Sequence, residues 1–260
     1  TLMLVGLLAV PVIAYLFMGS GNVNSLLDQS QVAGGHEAFL SLTSNGDRPY
    51  TFVEIFSQLA WGLGYCGMPH ILTRFMAVKN QKELRKSRVI AIVWVALSLG
   101  AAVVIGVLGR AYLFPVILGT EGAASTESVF VEMITKIFTE DLHLPFIGGL
   151  FLCGILAAIM STADSQLLVT ASSVSKDIYK DIFCPDADEK KILKISRLTV
   201  IIVAVLAFAI AWNPENSIMG LVSNAWAGLG AAFGPIVLMS LFWRRTNFAG
   251  AVAGIISGGL

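Results

Sequence analysis

Long uncharged apolar stretches alternate along the chain with short polar clusters. A helix needs about 20 mostly apolar residues to cross the hydrocarbon core of a bilayer, and seven segments approach that size. They are 1–19, 50–78 with an uncharged centre from Ile55 to Thr73, 89–109, 144–174, 198–212, 217–243 and 248–260. No stretch shows the sustained alternation of barrel strands, so the pattern predicts an all-α integral membrane protein of about seven spans forming one domain over 1–260. The chain opens and stops inside apolar runs and reads as truncated at both ends. Its opening run has no basic segment before it and no small-residue cleavage site, so it is read as a span and not as a signal peptide.

Composition sharpens this picture. The 260 residues are 56% hydrophobic and 13% charged, with a mean hydropathy of +0.78, against about 25% charged in soluble domains. Seventeen Lys and Arg balance seventeen Asp and Glu, which leaves no basic surplus for a nucleic-acid backbone and excludes that class of partner. Three cysteines, Cys66, Cys153 and Cys184, with no CxxC spacing argue against a disulfide framework and a zinc site. The basic residues are distributed unevenly. The connections 79–88, 175–197 and 244–247 hold thirteen of them, whereas the connections after the first, third and fifth spans hold only Arg48 and Lys136. The positive-inside rule therefore places the first group in the cytoplasm.

Two long connections, about 20–49 and 110–143, are predicted on the outer side. In the second, Val129, Phe130, Met133, Ile134, Ile137 and Phe138 recur at helical spacing. That stripe predicts an amphipathic helix packed over the bundle or lying at the interface.

Some spans carry features that plain packing does not require. In the second, Gly62, Gly64, Gly67 and Pro69 fall within eight residues beside Trp61, Tyr65 and His70. Gly costs about 1 kcal/mol and Pro about 3 kcal/mol in a helix interior, so a break is expected there. A break at membrane depth is tolerated where it lines a cavity, although a kinked packing helix with small residues at a crossing gives the same composition. Gly62 to Gly67 also fits GxGxxG, but no strand precedes it and no βαβ unit surrounds it. In the sixth span, Gly228, Gly230, Gly234 and Pro235 stand near Asn224 and Trp226. Close packing is the simpler reading of this stretch, and a second interruption, as in transporters with midplane binding, is the alternative.

The fourth span places Ser161, Thr162, Asp164 and Ser165 amid apolar residues. Ser161 and Thr162 lie three and four residues after Ala158, so their hydroxyls can bond back to the Ala158 carbonyl. The same three oxygens can instead serve a desolvated monovalent cation if another helix supplies more ligands. Asp164 is the one carboxylate in the middle of a span; with Ser165 it forms a second cation or proton site, or it faces an aqueous vestibule. Glu54, Arg74 and Arg110 stand at span ends and read as interfacial anchors. There is no HExxH, no GxSxG and no phosphate loop, and His36, His70 and His143 are far apart in sequence. Neither an enzyme nor a catalytic residue is expected.

The stretches SQLAWGLGYCGMPHILTRFMA, ILAAIMSTADSQLLVTASSVSKDIYKD and NPENSIMGLVSNAWAGLGAAFGP resemble the sodium/solute symporter family, and most closely its bacterial proline-transporting branch. The resemblance covers nearly the whole chain. It implies a leucine-transporter-like bundle of two inverted five-helix repeats, of which this chain is the middle to late portion, in the bacterial inner membrane. It implies Na+ as coupling ion, no organic cofactor, and symport of L-proline or a similar small solute by alternating access. By the same resemblance Ala158, Ser161 and Thr162 match half of the family's sodium site, whose other half lies on a first core helix absent from this sequence. Asp164 and Ser165 match an additional cation site found in some members. Trp61, Gly64, Tyr65 and Pro69 match the substrate site, with Gly64 giving backbone access. Pantothenate, sialic acid or sugars as solute, and a transporter-like sensor of solute, are the alternatives this resemblance leaves.

Overall fold

A computed structural model describes residues 2–19, 22–30, 35–44, 48–115, 126–212 and 217–259. The remaining positions, including Thr1, Leu260, parts of the two long connections 20–49 and 110–143, and 213–216 of the third family-like stretch, lie outside the described residues. Helices account for nearly all the regular structure: α1 (Leu2–Met18), α2 (Val23–Gln29), α3 (Gly35–Phe39), α4 (Phe52–Gly64), α5 (Pro69–Met76), α6 (Gln81–Tyr112), α7 (Val129–Thr135), α8 (Pro145–Ser172), α9 (Glu189–Ala211), α10 (Ile218–Phe242) and α11 (Phe248–Gly259). Among the described residues the only β pairing is an isolated bridge between Ser44 and Pro49. The protein is all-α.

Among the described residues, four helical stretches are long and apolar enough to cross a membrane, Gln81–Tyr112, Pro145–Phe183, Glu189–Ala211 and Ile218–Phe242. Along α9, Ile201, Val205 and Phe208 are each at least 60% exposed. Water would penalise such a surface, whereas hydrocarbon tails accept it without loss.

Local sequence explains the helix boundaries. At the start of α4, Glu54 accepts from the Thr51 N–H at 2.8 Å and its own N–H donates to Thr51 Oγ1 at 3.4 Å, a reciprocal capping box. Arg48 joins it, donating to the two Glu54 carboxylate oxygens at 3.0 and 2.5 Å. The Asn80 side chain caps α6 by accepting from the Glu83 N–H at 2.9 Å. Consequently α6 begins eight residues before the apolar run at Val89, and Lys82, Arg85, Lys86 and Arg88 ride on its first turns. The end of α8 passes into wide π turns over Ser173–Phe183.

The chain divides into two compact units, Thr1–Ile55 with Asn80–Ile159, and Phe56–Lys79 with Met160–Leu260. In the first, Val10 and Ala14 of α1, Ile105 and Tyr112 of α6, and Met133 and Ile134 of α7 form a buried core, which Ile137 and Phe138 extend. The stripe between 129 and 138 is therefore a packing face, carried by α7 and the π turns Lys136–Asp141. Polar contacts secure it: Lys136 Nζ donates to the Tyr112 carbonyl at 2.8 Å and the Tyr112 hydroxyl donates to Asp141. Arg110 donates to the Ser30 carbonyl at 2.9 Å, binding a free carbonyl at the end of α2 with a cation where the helix dipole favours one.

In the second unit α10 packs against α11 and against the 3-10 turn Tyr65–Gly67, while α9 packs on the π turns that follow α8. The structure decides between the two readings of the Gly/Pro stretch in the sixth span. Close packing, the simpler one, holds, because α10 runs unbroken through Gly228, Gly230, Gly234 and Pro235. Its glycines serve approach: a Cβ added to Gly230 would come within 2.9 Å of the Gly64 Cα, and one added to Gly67 would collide with the Leu229 carbonyl.

Candidate functional site: a broken helix and a hydroxyl-bearing helix

The segment 50–78, expected as the second span, breaks where its sequence predicts. Helix α4 ends at Gly64, Tyr65–Gly67 form a single 3-10 turn, Met68 is extended with ψ 111°, and α5 restarts with Pro69 in its first turn. Proline suits that position because the first turn of a helix has no partner for an N–H, and the residue before a proline is pushed toward extended backbone. The break collects aromatic rings. Trp61 is half-buried and Tyr65 is 50% exposed, and both meet Trp226 of α10, with ring centroids 6.0 Å apart and nearly parallel for Trp61 and 5.0 Å apart and edge-on for Tyr65.

Two cavities flank this break. One of about 550 Å³ is lined by Ser57, Trp61, Gly64, Trp226, Gly230 and neighbouring apolar residues. The other, about 460 Å³, is more polar and is lined by Pro69 and His70 together with Gln166, Val169 and Thr170 of α8. Trp61 and Gly64 thus share one cavity and Pro69 belongs to the other, while Tyr65 lines neither.

On α8, Ala158, Ser161 and Thr162 occupy one helical turn, with Ala158 half-buried and both hydroxyl residues exposed. Asp164 is exposed as well. Ser165 is half-buried, and its hydroxyl donates to the Ser161 carbonyl at 2.8 Å. This is the back-bonding that a serine inside a helix is prone to. Ser161 and Thr162 stand three and four residues after Ala158, and Asp164 and Ser165 stand three and four residues after Ser161, so each pair flanks one backbone carbonyl. Within each pair the side chains are about 100° apart around the helix axis, and a shared ion needs further ligands from another element. Neutral hard oxygens of this kind suit a small monovalent cation. Gln166 and Thr170 continue the same helix from the hydroxyl turn to the cavity at Pro69.

The sodium:solute symporter family model matches residues 1–258. The chain belongs to that family. Among its relatives, a sodium/proline symporter of Staphylococcus aureus is 42% identical over 262 residues, covering all of this chain and 48% of the relative. Sodium/proline symporters of the S. aureus strains JH9 and Newman are each 41% identical with the same coverage. The chain therefore spans about half the length of the curated relatives it matches. No solved structure matches it. With its long apolar helices, this symporter-family chain is a multi-pass membrane protein.

One site feature is hard to read in sequence. Trp226 stands inside a small-residue stretch that reads as packing, and nothing local marks it as the partner of Trp61 and Tyr65. The signal is relational: glycines at 64 and 67 pair with glycines at 230 and 234, which implies a close crossing with Trp226 beside it.

Proposed function

We propose that this chain provides the solute-site helix and half of the ion site of a bacterial plasma-membrane symporter that couples entry of Na+ to uptake of L-proline. Family membership and the full-chain similarity to sodium/proline symporters support the reaction class. The observation that carries the assignment to these residues is the helix break at Tyr65–Met68, flanked by cavities and placed beside α8.

Sodium is cargo here, and the Ala158 carbonyl with the Ser161 and Thr162 hydroxyls supplies part of its shell. The remaining ligands come, as the family resemblance implies, from a core helix outside these 260 residues, within an inverted-repeat bundle. Trp61 and Tyr65 offer apolar and edge-polar surface to the pyrrolidine ring of proline. Pro69 carries no N–H, and those of Met68 and Ile71 donate to the Tyr65 and Met68 carbonyls, so the backbone donor proposed for the solute carboxylate is the His70 N–H in the first turn of α5. Asp164 with Ser165 is proposed as an auxiliary cation site. Coupling follows from shared preference: sodium and proline stabilise the same conformers, so each raises the apparent affinity of the other by one factor.

The test is radiolabelled L-proline uptake into proteoliposomes holding a protein of full family length that carries this segment, with and without an inward sodium gradient. Uptake is expected to require sodium, and Ser161→Ala and Thr162→Ala are each expected to raise the sodium concentration for half-maximal uptake about tenfold, the equivalent of about 1.4 kcal/mol. Sodium-independent uptake, or unchanged sodium affinity in both variants, would return the hydroxyls to a structural role. Absence of proline uptake would overturn the solute assignment.

A further inference from the structure

The residue around which the broken segment is organised lies on another helix. Trp226 of α10 stacks on Trp61 at an interplanar angle of 16° and meets Tyr65 at 80°. It lines both cavities beside the break, the one that includes Trp61 and the one that includes Pro69. Its Nε1–H is buried and has no hydrogen-bond partner among the described residues. An indole without a polar anchor is held by its packing contacts, and here these include two aromatic rings and one glycine. That glycine is residue 64: a Cβ added there would stand 2.5 Å from Trp226 Cδ1 and 2.8 Å from Nε1. The indole already fills the space a side chain would need.

We propose that Trp226 is a positioning residue of the solute site, setting the planes of Trp61 and Tyr65 and walling one cavity from the other, and that position 64 is glycine to admit its ring. The proposal rests on the assignment of Trp61 and Tyr65 to the solute. It changes the role of Gly64, which the family resemblance casts as backbone access: the glycine makes room for a side chain, and that side chain orders the site. Stacked and edge-to-face geometries are shallow minima that a third ring deepens. With Trp226 removed, Trp61 and Tyr65 gain rotameric freedom that the solute must then remove on binding.

The experiment uses the full-family-length protein in proteoliposomes and reads KM for L-proline, the sodium concentration for half-maximal uptake, and thermal stability in detergent. Trp226→Ala is expected to raise the proline KM about tenfold and leave the sodium concentration for half-maximal uptake at saturating proline unchanged, while Trp226→Phe, which keeps a flat ring, stays within about threefold of the parent protein. Trp226→Leu replaces the alanine variant if that one fails to reach the membrane. Independently of any solute, Gly64→Ala is expected to lower the melting temperature in the parent background and to leave it unchanged in the Trp226→Ala background. Equal KM in all Trp226 variants, or a Gly64→Ala penalty that persists without the indole, would overturn the proposal. A parent protein that takes up proline while the variants show no shift sinks this inference alone, whereas a parent with no proline uptake overturns the underlying assignment and this one with it.

Discussion

Asp28 orders the connection between α2 and α3 through one carboxylate. Its Oδ1 accepts the His36 backbone N–H at 2.8 Å, and its Oδ2 lies 2.8 Å from His36 Nδ1. Gly35, with φ +75°, turns the chain so that both bonds form, and a Cβ there would be strained by that backbone conformation as well as sitting 3.2 Å from Asp28 Oδ1. The backbone bond first, and then the imidazole, hold the Asp28 carboxyl below its ordinary value. A depressed carboxyl contributes stability that is complete above the unfolded-state value and disappears as pH falls through the folded one. Exchange protection of the His36 amide, corrected for the intrinsic rate, is accordingly expected to be constant from about pH 7 to pH 5 and to fall below about pH 4. Asp28→Ala should abolish the protection throughout. Protection that persists in Asp28→Ala would show that α3 is held by other contacts. Neither partner stands out in sequence, because the contact joins residues eight apart across the 31–34 segment and has no periodic pattern behind it.

Among whole elements, legibility followed the range of the forces involved. The break after Gly64 is a local matter of backbone propensity, three glycines and a proline in eight residues, and it was predictable from those residues alone. The same composition in α10 leaves a continuous helix, since there the glycines answer to a neighbour that sequence periodicity does not reveal. The stripe from Val129 to Phe138 was readable as helical and apolar, but its choice of packing over an interfacial position depends on Val10, Ile105 and Tyr112, far away in the chain. Glycines with different neighbours should respond differently to one methyl group. Gly67→Ala drives Cβ into the Leu229 carbonyl, a rigid backbone atom that cannot swing aside, and the expected loss is about 1 to 3 kcal/mol. Gly228→Ala meets nothing within 4 Å and removes a flexible residue from a helix interior, so it is expected to be neutral or to stabilise by up to about 1 kcal/mol. Melting temperatures of both variants in the same detergent decide the matter. If both fall equally, the crossing of the 3-10 turn with α10 is looser than described.

Across the whole molecule, charge makes a claim about orientation that packing leaves open. Thirteen basic residues on one set of connections and two on the other is the asymmetry expected of an alternating bundle, because translocating Lys and Arg is disfavoured. The extension of α6 back to Gln81 does not weaken it: the basic residues it carries are exposed on its first two turns, where long side chains reach from a helix end to the headgroups. Cys184 offers a direct test, being exposed in the 175–197 connection. In a Cys66→Ser, Cys153→Ser background, a membrane-impermeant maleimide is expected to label Cys184 in inside-out vesicles and not in intact spheroplasts. A cysteine introduced by Glu37→Cys, exposed on the other set, should give the opposite result, since the second, third and fourth spans lie between them. Three crossings separate the two sites only if the segment broken at Tyr65–Met68 still traverses the bilayer. Labelling of both from the same side would make that segment re-entrant, placing the end of α4 with Trp61 and the turn with Tyr65 in a loop that returns to the face it entered.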